Sequence, residues 1–208
     1  MSKADWKQLD GRIRQVDEER WLSSRYAGLQ QRQALIALYG LNYELARIRL
    51  LVTEPGMGAI RFQWWRDALD QALNDRSAPH QVVLALREHV ETGMLNGKAL
   101  HKLINGHEDA FEAQDRAKEP EAHLAAMASK IFAPAHGWGQ VIVEIAPHWA
   151  ALRRGEAVGF GPVVAPAPQD IRPAVAHFRL RRMMAKDDQP GQLARRMCVM
   201  RAMFSGAI

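Results

Sequence analysis

The sequence predicts an all-α fold, a single-domain helical bundle, on three observations. Apolar residues recur at spacings of three and four along most of the chain, the signature of one buried helical face. The breaks between those runs carry proline or glycine, as at Thr53-Glu54-Pro55-Gly56 and Asp187-Asp188-Gln189-Pro190. No stretch alternates apolar and polar residues over a strand's length, and Val163-Val164 is too short to count as one. No internal repeat is visible.

Residues 4–25 read as the first helix, with Trp6, Leu9, Ile13 and Val16 on one side and a solvated acidic run, Asp17-Glu18-Glu19. Gly28 marks a turn. Residues 32–73 then form an αα-hairpin around which the chain is organised. Its first helix places Leu35, Leu38, Leu41, Leu45, Ile48 and Val52 on one face. Its second carries the stripe Ile60, Trp64, Ala68 beside the stripe Arg61, Trp65, Leu69, Leu73. Pro55 separates them, because proline lacks a backbone N–H and disfavours the helical region for Glu54. Residues 74–79 read as a loop. Val82, Val83, Leu86 and Val90 define a helix ending near Gly93, and Leu100, Leu103, Ile104 and Phe111 define one over 97–115. Between Pro120 and Ala151 the helical pattern breaks at Pro134, resumes through Val141, Ile142 and Ile145, and stops at Pro147. A glycine- and proline-rich connection, 155–168, leads to two basic helices over 169–185 and 191–204.

With 48% hydrophobic and 25% charged residues in 208, a single domain with one well-buried core is expected. Cys198 is the only cysteine, which excludes an intrachain disulfide and a four-cysteine metal site and fits a reducing compartment. The opening MSKADWKQLDGRIRQ has no apolar core of a signal peptide, and no apolar run reaches the ~20 residues of a membrane span. The cytoplasm is the expected location, with peripheral attachment to the inner membrane left open. Charge is uneven: residues 1–150 hold 18 basic and 19 acidic residues, the last 58 hold 10 and 4. Such a basic last quarter suits a phosphate-bearing ligand, an anionic membrane surface or an acidic protein, or else a solvated face with no partner. Nucleic acid has little support, because no recognition motif accompanies the arginines.

Few patterns carry chemistry. The histidines have no zinc spacing, no P-loop or dinucleotide fingerprint is present, and no serine sits in a nucleophile elbow. Carboxylates at helical spacing could share a Mg²⁺. Asp67 with Asp70 and Glu108 with Glu112 beside Asp109 offer such spacing, yet Arg66 can pair with Asp70, and His101, Asn105, Glu108 and Glu112 equally describe a plain polar face. On the hairpin, Asn42, Glu44, Arg47, Arg49, Arg61 and Asp67 lie on or beside the apolar seam. They are either an interhelical ion-pair network or the wall of a polar-ended pocket.

At these residues the chain resembles the squalene/phytoene synthases, all-α enzymes that join two isoprenyl diphosphates head to head. Arg32, Ala34, Ala37 and Tyr39 match the family's R-x-A-x-x-A-x-Y in register. LNYELARIRLLVTEPGMGAIRFQWWRDAL resembles more closely a divergent branch that occurs in bacteria and includes a mitochondrial complex I assembly factor. LINGHED, 103–109, is similar to the family's L-I-x-G-x-x-x-D segment, with Asp109 close to its aspartate.

The departures matter more. In the family's register, Ala46, Arg47 and Leu50 stand where the first Mg²⁺ motif has its aspartates, and Tyr43 replaces an arginine. Aligning Gln140 and Arg153-Arg154-Gly155 on the second motif puts Val143, Pro147 and Ala151 at its asparagine and aspartates. The C-terminal half is shortened relative to that pattern. The resemblance therefore implies an isoprenoid synthase fold without catalytic residues or metal ligands. It implies a degenerate protein that binds a protein partner, a membrane surface through its basic C-terminal helices, or an isoprenoid or lipid diphosphate. Candidate ligand-binding residues are Tyr39, Asn42, Arg47, Arg61, Asn105, Asp109, Gln140, Arg153 and Arg154. Two alternatives remain: an active prenyltransferase, needing Mg²⁺ at relocated ligands or holding diphosphate on Arg47, Arg49, Arg153 and Arg154, and a respiratory complex I assembly factor. No other cofactor is expected.

Overall fold

The computed structural model describes residues 1–75, 80–186 and 190–208. Among the described residues all regular structure is helical, with no strand. The expected loop at 74–79 and break at 187–190 lie mostly outside the described residues. The chain forms two compact units, each assembled from two stretches of sequence: Met1–Val16 with Leu29–Pro120, and Asp17–Gly28 with Glu121–Ile208.

In the first unit α3 (Leu29–Leu51) is central. Residues 34 to 41 are buried on every side, which is why its apolar content exceeds a single stripe. Helix α1 (Lys3–Val16), α4 (Pro55–Asp75), α5 (Gln81–Glu91) and α6 (Gly97–Glu112) pack around it. Gly40 permits a close crossing: a Cβ there would meet Val82 at 3.3 Å and Leu9 at 3.4 Å. Pro55 opens α4, a position where its missing N–H costs nothing. His80 and Asn96 cap α5 and α6 by accepting from the backbone N–H groups of Val82 and Ala99. The buried face of α4 is Gly58, Phe62, Trp65, Ala68, Leu69 and Ala72, so of the expected stripe Ile60, Trp64 and Ala68 the first two face outward and Ala68 turns inward.

The second unit holds α2 (Glu18–Ser24), α7 (Glu121–Lys130), α8 (Gly139–Arg153), the single turns α9 (Arg172–Val175) and α10 (Arg181–Met184), and α11 (Gln192–Ser205). Trp149, His177 and Phe178 form its aromatic centre, with ring centroids 4.5 to 6.2 Å apart. Three expectations change here. The single helix over 4–25 is two helices, broken at Asp17 (φ −149°, ψ 62°). The acidic run is engaged rather than solvated: Asp17 is 5% exposed and bonded to Arg20, while Glu18 and Glu19 pair with Arg195. Helix α8 also continues past Pro147, because the carbonyl that proline deprives of a donor belongs to Val143, an exposed position that water can serve.

The expected helix over 169–185 is a series of single α and 3₁₀ turns. Its arginines satisfy backbone carbonyls of the same unit instead of facing water. Arg172 donates to Ala167, Met203 and Phe204, Arg179 to Ala207, and the fully buried Arg181 to Phe160, Pro162 and Ile208. Much of the basic last quarter is thus spent internally.

Candidate functional site

The turn of the α3–α4 hairpin opens a cleft of ≈ 570 Å³ in the first unit. Ile48, Leu51, Met57, Ile60, Trp64 and Trp65 form its apolar wall, and Glu44, Arg47, Arg61 and His80 its polar edge. Leu51 is 57%, Met57 46%, Ile60 63% and Trp64 43% exposed, an apolar grouping of the kind that marks an interaction site. Trp64 and Trp65 meet edge to face at 5.1 Å, and the His80 ring stands 5.0 Å from Trp65. Burial holds the His80 imidazole below its usual pKa, so at neutral pH it presents a neutral edge.

Glu44 is the electrostatic centre of this edge. Its carboxylate pairs with Arg12 of α1 (2.6 Å) and Arg47 (3.1 Å), and both guanidiniums lie over the Tyr43 ring at 5.4 and 5.5 Å. Arg61 lines the same cleft and has no ion-pair partner among the described residues. The cleft therefore offers an apolar wall with a cation left over, which suits an amphipathic ligand with an acidic group.

The other first-unit candidates are placed differently. Tyr39 is in the core at 1% exposure. Asn42 accepts from His107 Nε2 (2.9 Å), tying α3 to α6. Asn105 accepts from Arg66 of α4 (2.9 and 3.0 Å), which also pairs with Glu108. Asp70 bonds His101 (2.8 Å) and Asp67 accepts from Gln63 (2.7 Å). The expected Arg66–Asp70 pair within α4 thus gives way to a polar seam between α4 and α6, because Arg66 reaches across to Asn105 and Glu108. Asp109 and Glu112 are exposed.

In the second unit, Gln140 donates to Glu144 (3.4 Å), Arg154 pairs with Glu156, and Arg153 pairs with Asp17 (3.5 Å) and Glu19 (3.9 Å). Arg153 and Arg154 therefore serve different carboxylates. Burial alone would raise the Asp17 carboxyl, but Arg153 and Arg20 outweigh it and hold it below its usual pKa. Arg20, 1% exposed, joins Asp17 to Glu121 of α7.

The residues present do not fit a Mg²⁺–diphosphate centre. At the positions that the family resemblance aligns with the first motif stand Ala46, Arg47 and the 78%-exposed Leu50, and Arg47 is a cation already paired to a carboxylate. Among the described residues no three His, Cys, Asp or Glu side chains converge as a metal site. Arg47, Arg49, Arg153 and Arg154 each pair with a carboxylate, so a metal-free diphosphate clamp would first have to break those pairs.

Sequence reasoning found Arg47, Arg61 and the tryptophans. It did not assign roles to His80, which follows the loop expected at 74–79 and caps α5, or to Arg12, which approaches Glu44 from another helix. The outward turn of Ile60 was legible only through Phe62, whose position defines the competing face.

A family model described as squalene/phytoene synthase matches residues 13–127, more than half of the chain. Among curated proteins, the chain is similar to NADH dehydrogenase (ubiquinone) complex I, assembly factor 6. It is 33% identical to the Bos taurus protein over 97 residues, 30% to that of Homo sapiens and 31% to that of Rattus norvegicus. In each case the match covers 46% of this chain and 29% of the relative. No solved structure matches. Among the described residues, no helix is long and apolar enough to cross a membrane.

Proposed function

The chain belongs to the squalene/phytoene synthase family, and we propose that it is a catalytically degenerate member that works by binding a protein partner. One observation carries this reading: Arg47, at a first-motif position, is a guanidinium engaged by Glu44. Ionising an allylic diphosphate requires its departing charge to be neutralised by Mg²⁺ held on carboxylates. A cation at that place repels the metal. A single preorganised electrostatic group is commonly worth ~3–4 kcal/mol of transition-state stabilisation, so losing the acidic set removes the reaction. The alternative of relocated ligands at Glu108, Asp109 and Glu112 has less support, since Arg66 takes Glu108 and the other two are exposed.

The cleft supports a binding role, with Arg47 and Arg61 on its polar edge and Ile60 and Trp64 on its apolar wall. The relatives are named as assembly factors of complex I, which favours a protein partner and, as a second reading, participation in respiratory-complex assembly. A thermal-shift series with farnesyl diphosphate, with and without Mg²⁺, tests the first reading. No Mg²⁺-dependent stabilisation is expected. A Mg²⁺-dependent shift would overturn the loss of catalysis, and a strong Mg²⁺-independent one would replace the protein partner with an isoprenoid. Deleting the gene and finding complex I at its normal level would remove the assembly reading.

A further inference from the structure

Helix α11 has an outer face unlike any other in the second unit. Leu193, Met197 and Phe204 are 75%, 53% and 76% exposed, and with Met200 they follow spacings of four, three and four, so they form one stripe. Arg196 and Arg201 flank this stripe, one on each side, and both are exposed. Among the described residues Arg196 has only a long contact to Glu18 (3.8 Å). The helix contains no acidic residue. Its opposite face is fixed: Val199 and Ala202 are buried, and Arg195 is held by Glu18 and Glu19. The stripe is thus presented by an anchored helix.

We propose that α11 seats the protein on an anionic lipid surface. The chemistry on the page selects this occupant. A helix with an apolar stripe between two flanking arginines can lie in the plane of a bilayer interface, with apolar side chains below the headgroups and guanidiniums reaching outward to lipid phosphates. The absence of acidic residues from the helix removes the repulsion that an anionic surface would otherwise meet. This seat shares no residue with the α3–α4 cleft and does not depend on what the cleft binds.

Co-sedimentation of the full chain with vesicles decides the matter. Binding is expected to vesicles of phosphatidylcholine mixed with phosphatidylglycerol, to weaken with added salt, and to be much poorer with phosphatidylcholine alone. Replacing both Leu193→Ser and Phe204→Ser, at exposed positions where folding is checked by an unchanged Tm, should weaken it by roughly ten-fold or more. Arg196→Gln and Arg201→Gln should each weaken it about five-fold. Absence of binding to the anionic vesicles overturns the proposal, as does binding that neither pair of substitutions alters. A third contrary result is self-association in sedimentation velocity that the Leu193/Phe204 pair abolishes while vesicle binding is absent. That would assign the stripe to a second copy of the chain.

Discussion

Gly58→Ala would test the packing that sets the cleft wall. Gly58 lies one residue from Met57 and two from Ile60, where α4 presses on α6. A Cβ added there would stand 2.1 Å from Phe111 Cε1, 2.6 Å from Cζ and 2.9 Å from Cδ1, whereas ordinary contact begins at 3.4 Å. The ring cannot retreat easily, being 3% exposed and packed against Phe62 at 5.8 Å. Overpacking of this kind costs about 1–3 kcal/mol. Alanine's better helix propensity returns at most about 1 kcal/mol. A separation of 2.1 Å belongs at the upper end of that range, so a net loss of about 1–2 kcal/mol is expected. In a Phe111→Leu background Cε1 and Cζ are gone, so the same Gly58→Ala change should become neutral or stabilising. Urea denaturation of the four proteins, followed by both tryptophan fluorescence and far-UV circular dichroism to check cooperativity, gives the coupling. Additivity within about 0.5 kcal/mol would refute the contact, as would a single variant as stable as the parent.

Three further outcomes follow from other residues. Burial lowers His89 from 6.5 to about 4, and neither ring nitrogen has a hydrogen-bond partner among the described residues, so the folded state keeps it neutral while the unfolded state protonates. Its contribution is complete above the unfolded value and is lost as pH falls below 6.5, by about 2 kcal/mol at pH 5. The stability–pH profile of His89→Gln should be correspondingly flatter, with a residual slope from the buried His177, whose pKa is lowered in the same sense. An unchanged slope would contradict this. Arg20→Leu leaves Asp17 and Glu121 without their shared cation and should cost about 3–5 kcal/mol in denaturant unfolding; a loss under 1 kcal/mol would show the triad to be dispensable. Ile60→Ser, at 63% exposure, should change stability by no more than about 0.5 kcal/mol, and a much larger loss would mean that the cleft wall is core.

Helix periodicity made the elements legible because most segments bury one stripe. Leu35, Leu38, Leu45 and Ile48 declare α3, and Pro55 declares where the hairpin turns. What could not be read was long-range pairing. Asp17-Glu18-Glu19 looks like a solvated run until Arg20, Arg153 and Arg195 converge on it from three helices. The basic segment at 172–182 looks like an outward face, yet its guanidiniums turn in to carbonyls that no local pattern announces. At the candidate site, Arg47 was legible by register, while its partner Arg12 across Glu44 was not. Arg61 and Arg47 share a cleft, but Asn105 is held by Arg66, Gln140 by Glu144, Arg153 by Asp17 and Glu19, and Arg154 by Glu156.

The measurement closest to the central claim is turnover of farnesyl or geranylgeranyl diphosphate by the purified protein in Mg²⁺, followed by release of inorganic pyrophosphate. With Ala46, Arg47 and Leu50 at the positions aligned with the family's metal-binding motif, the proposed loss of catalysis predicts no release above the protein-free control. Release at an enzyme-like rate, on the order of 1 s⁻¹ or faster, would contradict the loss of catalysis.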